Sequence, residues 1–282
     1  MKYDPIKRSL GKVFNRRPWL RKLFYRLLDL LLLRAWYVKR ELRALARELR
    51  RRQRPPLRVL DAGSGFGQYT WFLYRLDPAW EIDAVDVKEE QIADCSAFFS
   101  TFDKEQRVHF SVGDLTRLEA QERYDLILCV DVMEHIEEDE KVFSRFHRAL
   151  KPGGVLLVST PSDQGGSDVH DHDEEESFID EHVRDGYGVE EIREKLGRAG
   201  FARSEVYYSY GRPGQIAWKI SMKIPILMLN VSKLFFVVLP FYYLLTWPFA
   251  LVLNLLDLHG RHTTGTGLIV KAWKEEDRSG GR

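Results

Sequence analysis

Gly63, Gly65 and Gly67 stand at alternate positions directly after an apolar run, Leu57–Leu60, that ends in Asp61. Gln68–Arg75 follows with helical character, so the stretch reads as strand, tight turn and helix. Glycine admits positive φ and lets a ligand approach the backbone closely, and a helix N-terminus offers unpaired N–H donors. That combination suits a nucleotide-type cofactor. The spacing narrows the choice. A dinucleotide fingerprint needs its third glycine at position 68, which is Gln68, and a phosphate loop needs a lysine that is missing here. Further acids recur at the ends of apolar runs: Asp86, Asp114, and then Asp131-Val-Met-Glu134-His135. Carboxylates there can accept ribose hydroxyls, and a Glu–His pair can take a proton from a substrate.

These residues need elements to position them. Trp80–Val87, Val108–Leu115 and the continuous apolar run Tyr124–Val130 read as strands, and Leu150–Ser159 reads as a turn feeding a fifth. Glu89–Phe102, Glu138–Leu150 and Val189–Ala199 read as helices between or after them. Alternating strands and helices predict an α/β fold, a doubly wound, mostly parallel sheet. Ligands bind at the carboxyl ends of such strands, where all the flagged acids fall.

The form Asp61-x-Gly63-x-Gly65-x-Gly67, with the later acids in order, resembles the class I S-adenosylmethionine (SAM) methyltransferases. The resemblance is close over 57–160 and looser over 186–210 and 264–274. It implies a seven-stranded sheet with an antiparallel last strand, and SAM as cofactor. It implies that Asp61 and the backbone of Gly63, Ser64, Gly65 and Gly67 hold the amino-acid half of SAM. Asp86 would hold the ribose and Val87 stack on adenine. Asp114 would face the adenine amine beside Leu115, with Val130 completing the cofactor set. The stretch Asp131–His135 is similar to that of the O-methyltransferases of ubiquinone biosynthesis, some of which bind a divalent cation there. Asp131 stands where that group has Glu. Three readings stay open: His135 as base with Glu134 beside it; a divalent cation on Asp131, Glu134 and His135, which is not favoured; or capping of the loop. His182, with Arg184 near it, is the candidate for closing over substrate, and Tyr187 is another. The run Asp168–Glu176, with His170 and His172, reads either as a metal site or as a solvated loop.

The chain has 282 residues and a net charge of +1. Residues 1–56 hold eighteen Lys/Arg against four Asp/Glu, about +14, leaving about −13 elsewhere. Such a segment seeks an anionic surface. Leu20, Leu23, Phe24, Leu27, Leu28, Leu31, Ala35 and Val38 form a helical stripe, with Arg21, Lys22, Arg26 and Asp29 on another. Two readings stand: a helix lying in a membrane interface, or one packed on the core. No RNA-binding module is visible, so no nucleic-acid partner is expected. The two cysteines, Cys95 and Cys129, offer no disulfide framework or zinc spacing, which points to a reducing compartment. The N-terminus does not read as a signal peptide.

A second apolar segment, Leu234–Leu256, carries no charge and has the length of a transmembrane helix. It lies between Phe201–Tyr210 and Thr264–Trp273, which in the resembling fold are paired antiparallel strands. The connection must then leave and return on one side of a bilayer. Lys219, Lys223 and Lys233 disfavour a double crossing, and Pro240 and Pro248 are expected to break a straight helix. Helices dipping into one leaflet, a cap over the active site and a homodimer interface are the readings. The chain divides as 1–54, a basic amphipathic helical segment; 55–212, the SAM-binding core; 213–262, the hydrophobic helical insert; and 263–282, the last strand and a polar tail. The expected function is SAM-dependent O-methylation of a hydrophobic small molecule (a quinone, isoprenoid phenol or lipid-like acceptor). The expected place is the cytoplasmic face of an anionic membrane, peripheral or monotopic. The alternative is a membrane-bound scaffold with a degenerate methyltransferase core.

Overall fold

The computed structural model describes residues 17–52, 56–165, 183–232 and 234–276. Two helices lead: α1 (Pro18–Leu31) and α2 (Leu33–Arg52). The core then alternates β1 (Leu57–Ala62), α3 (Gln68–Leu76), β2 (Trp80–Asp86), α4 (Glu89–Ser100), β3 (Val108–Val112), β4 (Tyr124–Val130), α5 (Asp139–Ala149) and β5 (Leu150–Pro161). Next come α6 (Val189–Arg198) and β6 (Arg203–Ser209). The insert holds α7 (Arg212–Trp218), a π-helical turn (Lys219–Lys223), α8 (Ile224–Val231) and α9 (Phe235–His259), and β7 (Gly267–Trp273) closes the described chain.

The seven strands form one sheet in the order β3-β2-β1-β4-β5-β7-β6. β7 alone runs antiparallel to its neighbours, pairing with both β5 and β6. The expected mixed sheet, with its antiparallel last strand, is what the chain adopts. β1, β4 and β5 are nearly continuous apolar runs because helices cover both faces. On one face Phe143 and Phe146 of α5, with Ile192 and Leu196 of α6, pack against Ile127, Leu156 and Val270. On the other Tyr37, Leu42 and Leu45 of α2, with Leu73 of α3, pack against Val59, Leu126 and Leu157. Only a 3-10 turn, Leu115–Arg117, lies in the connection from β3 to β4. A groove of about 580 Å³ opens beside this connection, lined by Asp83 and Val85 of β2, His109 and Ser111 of β3, and Arg123 and Tyr124 at the start of β4.

The N-terminal segment packs on the core. α2 buries one face along its length, from Leu33 to Leu49, and exposes Arg43, Ala44 and Arg47 on the other. α1 behaves differently: its polar residues turn inward. Arg21 and Tyr25 are buried, while Trp19, Leu23, Leu27 and Leu30 face outward.

The insert is a helical hairpin, and one expectation about it is corrected. α9 runs through both Pro240 and Pro248. Each proline removes one N–H and crowds the carbonyl a turn earlier, yet neighbouring contacts hold the helix. Tyr242 donates to the Ile220 carbonyl at 2.7 Å and Tyr243 to that of Ser221 at 2.8 Å. Among the described residues α9 is the helix long and apolar enough to cross a membrane, with little of it buried. Its outer residues Phe236, Phe241, Leu244, Leu245 and Phe249 are exposed, as are Val231 and Leu234 at the tip, at 81% and 79%.

The carboxyl edge of the sheet collects everything of interest. Pro161 of β5 pairs with Gly267, which pairs with Ser209 of β6. The hairpin therefore leaves and rejoins the sheet at the edge where β1, β2 and β4 deliver their terminal acids.

Candidate active site

β1 ends at Ala62, and the next residues turn sharply. Gly63, Gly65 and Gly67 have φ of +82°, +50° and +76°. Side chains rarely adopt these angles, and this accounts for the glycines. Gly63 has a second reason: a Cβ there would lie 2.2 Å from Val132 Cγ2. The loop after β1 thus rests on the loop after β4. At Gly65 an added Cβ would meet nothing closer than Gln91 Oε1 at 3.8 Å, so space lies open above this glycine. The loop N–H groups are anchored from behind, with Gly63 and Ser64 both donating to the Val85 carbonyl.

The acids take three different environments. Asp86, at the end of β2, accepts the Gly65 N–H at 2.8 Å and the Lys88 N–H at 2.9 Å, which fixes its carboxylate at the loop. Asp61 is buried beneath the loop and accepts from the Thr70 hydroxyl at 2.5 Å. Burial raises its pKa to about 7, with the nearby Asp86 adding in the same direction. It faces the first turn of α3 and so acts on the loop from below. Asp114 accepts from the Thr116 hydroxyl and N–H, at 2.7 and 2.8 Å, and those bonds hold its carboxyl below the usual range. Val87 lies exposed beside Asp86, whereas Leu115 is buried and Val130 half-buried.

The loop after β4 separates the residues that sequence grouped. Asp131, at φ +50°, is paired with Arg34 of α2. Glu134 is buried and accepts from the Thr160 hydroxyl at 3.1 Å; burial raises its pKa. His135 is exposed. Asp131, Glu134 and His135 do not gather into a metal-holding cluster, and no such group occurs among the described residues. The expectation for Tyr187 is corrected: it is fully buried, with its hydroxyl on the Met133 carbonyl at 3.1 Å and on Asp139 at 2.7 Å. Arg184 and Lys195 pair with the same Asp139. This network braces the β4 loop from below, since the Val183 N–H also bonds the Glu134 carbonyl. His170, His172 and His182 lie outside the described residues.

Several contributors escaped sequence reasoning. Arg34 lies beside Tyr69, Tyr210 and Glu134 as well as Asp131. Arg21 and Tyr25 of α1 both donate to the Phe66 carbonyl inside the glycine loop, at 3.0 and 2.6 Å. Gln68, which broke the dinucleotide spacing, donates to Asp29 of α1 at 2.7 Å. Each pairing spans dozens of residues and leaves no local signal.

SAM fits this arrangement. The Ser64 hydroxyl is buried without a hydrogen-bond partner, and the space above Gly65 would be filled by any side chain there. The acids complement a ligand carrying a sulfonium and an ammonium. The loop and Asp86 would hold it, presenting a methyl group poised for displacement.

Residues 59–154 match the family model described as a methyltransferase domain. Over 104 residues the chain is 26% identical to a ubiquinone biosynthesis O-methyltransferase of Rickettsia bellii, covering 37% of this chain and 42% of that protein. Over 114 residues it is 30% identical to a malonyl-[acyl-carrier protein] O-methyltransferase of Bacillus cereus, covering 40% and 41%. The chain thus spans about two fifths of the length of these relatives. A solved phosphoethanolamine N-methyltransferase 2 of Haemonchus contortus, in complex with SAM, shares the fold. Its TM-score is 0.54 at 22% identity, over 79% of this chain and 50% of that one. With the glycine loop, the ordered acids and the seven-stranded sheet in agreement, residues 59–154 carry a methyltransferase domain similar to those of the class I SAM-dependent methyltransferases.

Proposed function

We propose that this chain methylates an oxygen of a hydrophobic small molecule dissolved in a membrane, a quinone, isoprenoid phenol or lipid-like hydroxyl compound. The observation that carries this reading is placement: the exposed apolar hairpin rises from the same sheet edge as the glycine loop. An acceptor leaving the lipid along α9 would arrive at the ends of β1 and β4. The names of the matched O-methyltransferases support oxygen as the atom methylated. No observation favours a scaffold with a degenerate core.

The bound cofactor supplies an electrophilic methyl group. The glycine loop and Asp86 fix its position, and most of the acceleration comes from this orientation. Bound SAM would offer its methyl group to the acceptor oxygen, and the acceptor's hydroxyl proton would pass to a base. His135, on the exposed side of the β4 loop, fills that role, and Glu134 holds the loop through Thr160. Arg34 and Asp131 form the polar wall beside them. The protein works at the cytoplasmic face of the membrane as a peripheral or monotopic enzyme, and a homodimer is compatible with the exposed surface.

Calorimetry tests the cofactor half of this reading. Wild type binds SAM, and Asp86→Ala loses about a hundredfold in affinity, as expected for two charge-assisted hydrogen bonds. Incubation of membrane-lipid extracts with radiolabelled SAM tests the acceptor half. Label is expected in the apolar fraction; label confined to water-soluble products sinks the lipid-acceptor assignment.

A further inference from the structure

The two faces of α1 do opposite jobs. Trp19, Leu23, Leu27 and Leu30 recur at helical spacing and form one exposed stripe, with Trp19 58% exposed at the N-terminal end. On the other side Arg21 donates to the Phe66 carbonyl at 3.0 Å, to the Asp94 carbonyl at 2.7 Å and to the Tyr25 hydroxyl at 2.8 Å. Tyr25 itself donates to Phe66 at 2.6 Å. Phe66 lies between Gly65 and Gly67 of the cofactor loop. The Phe24 ring meets the Phe66 ring edge-on at 6.1 Å, and Asp29 accepts from Gln68. An outward apolar stripe is thus rigidly tied to the cofactor loop.

We propose that the outer stripe of α1 and the outer faces of α8 and α9 form one bilayer-docking surface around the mouth of the cofactor site. Docking of α1 steadies the glycine loop through Arg21 and Tyr25, so cofactor affinity depends on the membrane. This rests on the membrane-acting reading above and adds a coupling to it. Three observations select an anionic leaflet as the occupant. Both apolar faces lie at the carboxyl edge, α1 by its grip on the loop after β1 and the hairpin by its exit between β6 and β7. Residues 1–56 carry about +14 of charge, with Arg17, Lys22 and Arg26 on or beside α1. Trp and Leu set against Lys and Arg give α1 the make-up of an interfacial helix. Each face gathers several large exposed apolar side chains, a grouping that marks interaction surfaces rather than the scattered single residues ordinary on monomers.

The test measures SAM affinity of the full chain in mild detergent and on phosphatidylcholine vesicles with phosphatidylglycerol. Wild type is expected to bind SAM about fivefold or more tightly on the vesicles, the usual size of a coupling between two sites. Leu23→Glu/Leu27→Glu changes only exposed residues; α9 keeps the variant on the vesicles, but the tightening is lost while the detergent affinity is unchanged. Leu23→Ser/Leu27→Ser repeats the measurement without added charge, and quenching by a nitroxide lipid, taken as the difference from Trp19→Phe, reports Trp19 entering the leaflet. Equal affinity in both media, or full tightening in both double variants, overturns the coupling. A dimer in detergent that the double variants convert to monomers, with no lipid quenching, assigns the stripe to a second copy and overturns it too. Absence of SAM binding in every condition would instead sink the methyltransferase reading itself.

Discussion

The Tyr37 hydroxyl donates to the Asp257 carboxylate at 2.7 Å, joining α2 to the end of α9. Asp257 has no exposure, and its other oxygen accepts the Gly214 N–H of α7 at 2.9 Å. Burial, and then the adjacent Asp257, push the Tyr37 hydroxyl well above its ordinary pKa. One carboxylate thus ties the N-terminal layer to both legs of the hairpin.

Replacing it unties them. Asp257→Ala leaves the Gly214 N–H without its partner in a dry site, at a cost of about 1–3 kcal/mol. Thermal denaturation should show a melting point lower by about 2–4 °C for each kcal/mol lost, with faster proteolysis between α7 and α9. Asp257→Asn keeps one acceptor and should lose less. Equal melting points for wild type and alanine variant would rule out this tie as a stabilising contact.

Two glycines of the loop should fail for different reasons. In Gly63→Ala the new methyl collides with Val132 at 2.2 Å, so the variant should be less stable by about 1–3 kcal/mol. In Gly65→Ala the methyl meets only Gln91 Oε1, at an ordinary contact distance of 3.8 Å, so stability should fall by only about 1–2 kcal/mol for the left-handed backbone. Its SAM affinity should nevertheless drop tenfold or more, because the methyl occupies the cofactor's space. Denaturant titration alongside calorimetry separates the two effects.

Asp61 makes cofactor binding depend on pH. Its folded pKa, raised to about 7, exceeds the ordinary carboxylate value. The folded state therefore holds a proton that the unfolded chain has released between about pH 4 and 7, and stability contributed by this group falls as pH rises through that window. A cationic ligand prefers the ionised form. SAM binding should release a proton below about pH 7, and affinity should rise with pH up to that point and then level off. Calorimetry in buffers of different ionisation enthalpy counts the proton, and Asp61→Asn should flatten the profile.

His135 and Glu134 should separate in kinetics. His135→Ala should lower kcat by about a hundredfold, within the range for loss of a general base, with SAM affinity unchanged. Glu134→Gln keeps the Thr160 contact and should change kcat by only a few-fold. Chelator should leave turnover unaltered, because Asp131, Glu134 and His135 do not converge. A rate that collapses with chelator and returns with a divalent cation would reverse this assignment.

The glycine loop and the acids at the strand ends were legible because they are written locally. Positive φ demands glycine at Gly63, Gly65 and Gly67, and parallel strands place their acids at one edge, so a few residues of sequence reveal the geometry. The polar cluster beside the loop after β4 was not legible, because Arg34, Tyr69, Asp131 and Tyr210 meet only through tertiary packing. The amphipathic pattern of α1 was visible, but its orientation was not. A stripe of leucines ordinarily faces a core, and only the contacts of Arg21 and Tyr25 with Phe66 show that this helix is turned the other way. Pro240 and Pro248 misled for a related reason: a local rule about helix breaking was outweighed by contacts from Tyr242 and Tyr243 to the preceding helix.

Ser209 and Gly267 are partners in the β6–β7 ladder, yet the whole helical insert separates them along the chain. Strands paired this way can be joined by a turn of about two to five residues. The hairpin therefore stands where a tight β-turn would suffice, so the β6–β7 pairing itself does not require the insert's length or apolarity.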